Sequence, residues 1–437
     1  MTLAILSGMA EATTLVEVPV EKQNSDQVMA TNWWSHFNDP LLSQLIGLAL
    51  KSNTSIRTSQ AALQQSRALR DVNHSALWPG VSVSGTAQRS ANDVVSVNNS
   101  FKAGLDAHWE LDVFGANQST LNASQADAKA AEASLADVQV SVAAEVALAY
   151  IQLRGLQAQF TIAKTNLASQ QETLQITDWR SQAGLVTSLE VEQARTATEQ
   201  TSAQIPVLIA GIAKTRHSLA VLTGQRPLEL DELLQATQPV PQPPLKLAQS
   251  IPAQTLRQRA DVRVAEHRIS AALARVKAVD AARYPGFSLG GSLGLSSLTL
   301  AGLTQGATLA SSLLGSISVP LFDAGAAKVL AQEAALEQAR AAYQNTVLTA
   351  LKDVEDALAA LHNDLIRLTH LQNASVAADN AALLARQRYV SGLIDFQTVL
   401  QTQRTLLGAQ DSVVSATADI SADHVRLYKA LGGGWQL

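Results

Sequence analysis

The chain has 437 residues, of which 47% are apolar but only 4% aromatic, with a net charge of −5 and no cysteine. That excludes disulfides, thiolate metal sites and cysteine nucleophiles, and the interspersed charges offer no phosphate-binding face for a nucleic acid. Few aromatics beside abundant Ala, Leu, Gln, Ser and Thr suit long helices meeting through small residues better than a globular core.

Residues 1–40 read as an N-terminal arm. Met1 to Ala12 are apolar and small, like the end of a signal peptide, but lack its basic n-region and full h-region. From 41 a helical period runs to Trp78-Pro79-Gly80, where Pro and Gly stop it. Two alternating runs follow. Val81, Val83, Gly85 and Ala87 alternate with Ser82, Ser84, Thr86 and Gln88; Phe101, Ala103, Leu105, Ala107, Trp109 and Leu111 alternate with Lys102, Gly104, Asp106, His108 and Glu110. A period of two with charge on one face predicts strands.

A heptad seam then runs through Val142, Val146, Ala149, Leu153, Leu156, Phe160, Ala163 and Leu167. From about residue 117 to 180 there is no Pro and one Gly, so at about 1.5 Å per residue the helix approaches ~100 Å. A second helix, Ser188 to Leu222, folds back beside it after the turn Gly184-Leu185-Val186. Repeat 1 thus spans 41–237, and the Pro-rich segment 238–250 reads as an extended linker.

Repeat 2, residues 251–437, runs through the same succession. Tyr284-Pro285-Gly286 answers Trp78-Pro79-Gly80, Phe322 to Gly325 answers Phe114-Gly115, Gly392-Leu393-Ile394 answers Gly184-Leu185-Val186, and Leu431-Gly432-Gly433 answers Leu222-Thr223-Gly224. Its strands are expected through Phe287, Leu289, Leu293 and Leu295, then through Leu313, Gly315, Ile317, Val319 and Leu321. Its seam is Val347, Leu351, Val354, Leu358, Leu361, Leu365 and Leu368.

Each strand has the length, about 9–11 residues, of one crossing a bilayer; a half-buried soluble hairpin is the plainer alternative. Four strands cannot close a membrane barrel, and open edges are not tolerated in lipid. Membrane-spanning strands therefore demand that copies share one barrel, of eight strands as a dimer or twelve as a trimer. No uninterrupted apolar run reaches the ~18 residues of a spanning helix. The eight His are scattered without His-Glu-x-x-His or another metal spacing, and no nucleophile elbow or phosphate loop appears. The sequence predicts no enzyme, no metal and no cofactor.

Several stretches resemble the TolC-like outer-membrane factors of tripartite efflux systems, most closely the branch serving resistance-nodulation-division pumps. They are Trp33-Trp34 with Phe37, Asp39-Pro40, Leu41 and Leu45-Ile46; Leu256 to Arg263 with Ala265-Glu266; Pro320-Leu321-Phe322-Asp323 with Gly325; and Ala430 to Trp435. The resemblance implies a mixed α and β membrane protein. In it a trimeric twelve-stranded β-barrel, four strands per protomer, continues into a long α-helical barrel, both built from two tandem repeats. It implies a place in the outer membrane of a Gram-negative bacterium with a periplasmic extension. The implied partners are two further copies, a periplasmic adaptor, an inner-membrane pump and outer-membrane lipid.

The same resemblance places a gate at the helix turns. Family gates bond a Tyr before the second turn to an acid after the first, here Tyr389 and Glu190. Gln401 stands where the family has an acidic constriction residue, Arg404 matches, and Asp395 lies nearby with a negative charge of its own. The turns Gly184, Leu185, Val186 and Gly392, Leu393, Ile394 are the implied adaptor-docking tips. Departures are Ala260 in place of the usual Pro, and the lack of the cysteine that carries the branch's lipid anchor. Two rivals remain from the residues alone: a duct for type I protein secretion, and a soluble coiled-coil scaffold, which has no use for strands with a wholly apolar face.

Overall fold

A computed structural model describes residues 32–91, 97–244 and 258–433. Met1 to Ala12, part of the linker, and the family-like residues Leu256, Arg257, Gly434 and Trp435 lie outside them.

The first helix, α1 (Pro40–Ser52), starts where Asp39 accepts from the backbone N–H of Leu41 at 2.9 Å and of Leu42 at 3.0 Å. Pro40 takes the first helical position, which needs no N–H. Asn53 caps α2 (Thr54–Ser75) in the same manner. After the first hairpin comes α3 (Ala116–Gln182), a single helix of 67 residues that by its rise is about 100 Å long. Its first turn is closed by Asp112, which accepts from the N–H of Asn117 and Gln118. The helix α4 (Ser188–Leu222) returns beside it, and the short α5 (Asp231–Leu234) leads into the linker. Repeat 2 supplies α6 (Ala260–Ala281), α7 (Gly325–Val390, 66 residues) and α8 (Phe396–Ala430, 35 residues, as in α4).

Three apolar clusters hold these rods. Near the middle, Trp33, Phe37, Leu42, Leu45 and Ile46 pack on Val146, Tyr150 and Leu153 of α3 and Leu219 of α4. A second cluster joins Val262 of α6 to Val354 and Leu361 of α7 and Leu427 of α8. A third, far along the rods, joins Ala194 and Ala197 of α4 to Ala385, Tyr389, Phe396 and Val399 of repeat 2.

The strands β1 (Gly80–Ala91), β2 (Val97–Leu111), β3 (Gly286–Ser297) and β4 (Thr308–Ser318) form one antiparallel sheet in chain order. The middle pair joins the repeats, with Phe101 opposite Ser297 and Leu111 opposite Phe287. Among the described residues the outer strands β1 and β4 have no partner beyond the sheet. The expected fourth strand is displaced: it begins earlier, at Thr308, and ends at Ser318 rather than Leu321. Pro320 has no N–H to donate and holds Val319 out of the ladder.

Candidate functional site

The sheet carries the first functional surface. In the observed register, Val81, Val83, Leu105, Ala107, Trp109, Phe287, Leu289, Leu293, Leu309, Leu313 and Ile317 all project from one face. Most of its large apolar side chains stand bare, Val83 at 82% and Leu313 at 77%, while Trp109, Phe287 and Leu289 are partly covered. The opposite face holds every charge of β2 (Lys102, Asp106, Glu110) together with His108 and ladders of serine. Ser84 donates to Asp106 at 2.5 Å, and the hydroxyls of Ser288 and Ser316 and of Ser292 and Ser312 bond at 2.6 and 2.7 Å. At about 3.3 Å per residue and a tilt near 40°, strands of this length cover about 28–38 Å.

Aromatics gather at one end of the sheet. Trp78, Trp109, Phe114, Tyr284, Phe287 and Phe322 all lie where the strands meet the helices, with Phe114 stacked on Tyr284 at 4.9 Å. Trp78, Phe114, Tyr284 and Phe322 are exposed. Amphipathic rings collect in such belts where hydrocarbon gives way to water. One apolar face, one polar face and a ring of aromatics are the parts of a wall between lipid and a wet lumen.

The second surface is at the opposite end of the rods, where both helix pairs turn. The two turns are built alike. Gly184 at φ 72° and Gly392 at φ 74° leave the helices in the left-handed region open to glycine. The N–H of Leu185 then bonds the Arg180 carbonyl, and that of Leu393 the Arg388 carbonyl, each at 2.8 Å. Leu185 and Leu393 are exposed, and Ile394 packs on the third apolar cluster.

Of the gate residues read from the sequence, Tyr389 and Glu190 do come together. Tyr389 is 4% exposed and its hydroxyl faces Glu190 and Thr177. Among the described residues neither that hydroxyl nor Glu190 Oε2 makes a well-formed hydrogen bond. Burial raises the phenol's pKa; Thr177 and Arg180 oppose the rise and Glu190 adds to it. Asp395 is occupied elsewhere. It caps α8, accepting from the Thr398 N–H at 2.8 Å and hydroxyl at 2.6 Å, and those bonds hold its carboxyl below the usual range. Gln401 and Arg404 sit one turn apart on an exposed strip of α8, outside the cluster.

Nothing in the sequence pointed to Arg180. Its Nη1 donates to the Tyr389 carbonyl at 2.6 Å, and its guanidinium lies over the Tyr389 ring, 4.5 Å from the centroid. Tyr389 in turn leans on Phe396 at 5.4 Å. One turn away, Arg386 pairs with Glu172 of α3. Two arginines thus tie α3 to α7 at the tip. Among the described residues no group of His, Asp and Glu is placed to hold a metal. The arrangement fastens two helix pairs together.

The sequence matches the outer membrane efflux protein family over residues 45–225 and 251–433, one block for each repeat. SepC, a probable efflux pump outer membrane protein of Pseudomonas putida, is 32% identical over 415 residues, covering 92% of this chain and 85% of that protein. OprJ, an outer membrane protein of Pseudomonas aeruginosa, is 30% identical over 421 residues, covering 92% and 86%. Among solved structures, the outer-membrane channel OprN superposes with a TM-score of 0.88 at 35% identity over 93% of each chain. The CmeC outer membrane channel of Campylobacter jejuni gives 0.86 at 26%, covering all of this chain and 95% of that one.

Proposed function

The chain belongs to the outer membrane efflux protein family and is an efflux channel of the outer membrane, and from that premise we propose that three copies form the passive exit duct of a tripartite pump. The observation that carries this reading is the sheet, two-faced and open along both outer strands. Edges are not tolerated in lipid. Since β2 pairs with β3 inside the chain, the matching pair between chains is β4 with the next copy's β1. Three copies supply twelve strands, enough for a barrel of about that size to hold an open lumen.

The helices support the same closure. Within the chain α3 lies against α8, where Ala416 is fully buried and Gly155 faces Ala418. The matching stretch of α4 is bare, with Val207 71% and Ile209 52% exposed. The repeat counterpart of α3 is α7. Laying one copy's α7 on another's α4 repeats the contact already made within the chain, and such a head-to-tail contact closes a ring.

The duct performs no chemistry. Its cargo arrives from an inner-membrane pump through a periplasmic adaptor that docks on the turns Gly184-Leu185-Val186 and Gly392-Leu393-Ile394. Tyr389 and Glu190, with Asp395, Gln401 and Arg404 on the adjoining helix, form the gate region. Relatives named for toluene and solvent efflux support small apolar or toxic compounds as cargo. The test is the native mass of protein extracted from outer-membrane fractions, with its conductance in planar bilayers. A trimer giving small closed-state conductances is expected; a water-soluble monomer without membrane association ends this reading.

A further inference from the structure

Charge on the polar face of the sheet is confined to one strand. Between Gly286 and Ser318 the chain has no charged residue, so β3 and β4 bring none. The one charge of β1, Arg89, pairs with Asn99 and projects from the other face. Strand β2 alone carries Lys102, Asp106 and Glu110, all exposed, and it carries them in order. It runs into α3, so Glu110 lies nearest the helices, Lys102 towards the far end of the sheet, and Asp106 between. Steps of four residues set neighbouring charges about 13 Å apart, too far for an ion pair. Among the described residues none of the three is in one, and Ser84 holds the Asp106 carboxylate in place at 2.5 Å. At the junction beneath, Arg283 pairs with Asp280 and Lys328 with Asp323, so those charges cancel locally.

We propose that the lumen of the barrel is electrically polarised, with acidic rings of Glu110 and Asp106 at its helical end and a basic ring of Lys102 towards the outside, and that these rings sort cargo by charge. This rests on the ring of copies argued above and names what such a ring favours. Twelve strands about 4.8 Å apart and tilted near 40° close at a radius of about 12 Å. Side chains reaching inward bring their charges within about 8–10 Å of the axis, a Debye length at physiological salt, so the rings act across the whole opening. A departing cation is drawn in by the acids and then repelled at Lys102. An anion is repelled at the acids first. A solute without net charge meets neither barrier, because the other three strands offer the lumen no charge. The lumen therefore favours uncharged and zwitterionic cargo over ions of either sign, and Lys102, Asp106 and Glu110 determine that specificity.

The register supplies the probes. Ser292 is the partner of Asp106 across β2 and β3, and Ser296 the partner of Lys102, so each stands inside one ring. The full chain has no cysteine, and Ser292→Cys or Ser296→Cys gives one thiol per copy at a chosen height. Native trimers are treated with a methanethiosulfonate carrying trimethylammonium or with one carrying sulfonate, each rate taken relative to that with a free thiol. The cation-to-anion ratio cancels any change in the thiol's own reactivity. At about 0.1 M salt the ratio should be about three-fold above unity for Ser292→Cys and as far below it for Ser296→Cys. At about 1 M, where the Debye length is about 3 Å, both should approach unity. Asp106→Asn should abolish the first preference and Lys102→Met the second. In cells that depend on the protein, Lys102→Met should raise protection against a cationic toxic compound about two-fold relative to an uncharged one. Equal ratios at the two heights of a native trimer overturn the polarity and leave the duct standing, and an unchanged protection ratio overturns the sorting. Thiols that neither reagent reaches overturn the assignment of the lumen face. Absence of any trimer removes the duct and the rings together.

Discussion

Asn53 and Arg259 stand at one place in the two repeats, and each holds the carbonyl of the residue that ends its repeat's last helix, a match one residue off the sequence pairing of Leu222 with Leu431. Asn53 donates through Nδ2 to the Leu222 carbonyl at 2.7 Å, and Arg259 through Nη1 to the Ala430 carbonyl at 3.0 Å. Each ties the start of its repeat to the end of that repeat's last helix. The glycines beyond those ends press on the same positions: a Cβ at Gly224 would meet the Ser52 carbonyl oxygen, and one at Gly432 the Arg259 backbone. Asn53→Ala loses both this bond and the cap on α2, and should cost about 2 kcal/mol in thermal unfolding of the extracted protein. Arg259→Met should cost as much or more. It strands Asp261, bonded at 2.8 and 3.0 Å, and leaves Asp353 without its cation.

Arg154 is fully buried, yet its partners come from two parts of the chain. It donates to Gln157 at 2.7 Å, to the Ala236 carbonyl at 2.6 Å and to the Tyr150 hydroxyl at 2.9 Å, while Tyr150 donates to Asp39 at 2.7 Å. Arg154→Met fills the volume but abandons a buried carbonyl and amide, at about 3 kcal/mol. Limited proteolysis should show new cleavage between Leu234 and Pro244, where the linker is pinned. An unchanged digest would assign the pinning to other contacts.

Asp423 should set part of the pH response. It is 2% exposed; Oδ1 accepts from Arg426 at 2.6 Å, while Oδ2 is buried without a partner. Burial raises its pKa above 3.8, with Arg426 opposing and the neighbouring Asp364 adding to the rise. The folded chain therefore holds a proton that the unfolded chain has already lost. Stability falls as pH rises from about 3.8 through the folded value. Asp423→Asn should be more stable than the parent at neutral pH and show a flatter melting-temperature profile across that window. His424 acts from the other side: burial lowers its pKa below 6.5, so its contribution is lost as pH falls below that value. His424→Gln should blunt the loss between neutral and mildly acidic pH.

The two faces of the sheet should answer differently to charge. Leu313→Arg places a cation on the apolar face, at a cost of about 2–4 kcal/mol if that site lies at mid-bilayer, and should deplete the protein from outer-membrane fractions. Ser292→Lys on the polar face should insert normally and change only conductance. Equal depletion by both variants would remove the assignment of faces.

Tyr389→Phe should leave conductance nearly unchanged and stability equal or slightly higher, since the hydroxyl it removes is buried and unbonded. Tyr389→Ala, which removes the ring beneath Arg180, should raise conductance.

These contrasts also show what the sequence can carry. Helix α4 was legible to its ends because Gly184 and Gly224 bracket a helical pattern, which the structure carries through Pro206. Strand pairing within each hairpin followed from strict alternation. The start of β4 did not, because Leu309 is the one large apolar residue from Thr308 to Ser312, too few to show an alternation. At the tip, Tyr389 and Glu190 could be named only by resemblance. Arg180 could not be named at all: one arginine in the last turn of a helix is ordinary, and its meaning depends on a carbonyl 209 residues away.

The pairing of β2 with β3 has a kinetic consequence. Phe101 cannot meet Ser297 until α3, α4 and the linker between have been made and folded back. Loop closure on that scale makes the sheet a late event, since non-local strand pairs form slowly. For as long as β1 and β4 wait for other copies, their backbone donors and acceptors are a template for any passing strand. The final step is then second-order or higher, faster where chains are concentrated. Dilution should lengthen the lifetime of the vulnerable species, and aggregation should compete with assembly at that step and no earlier one.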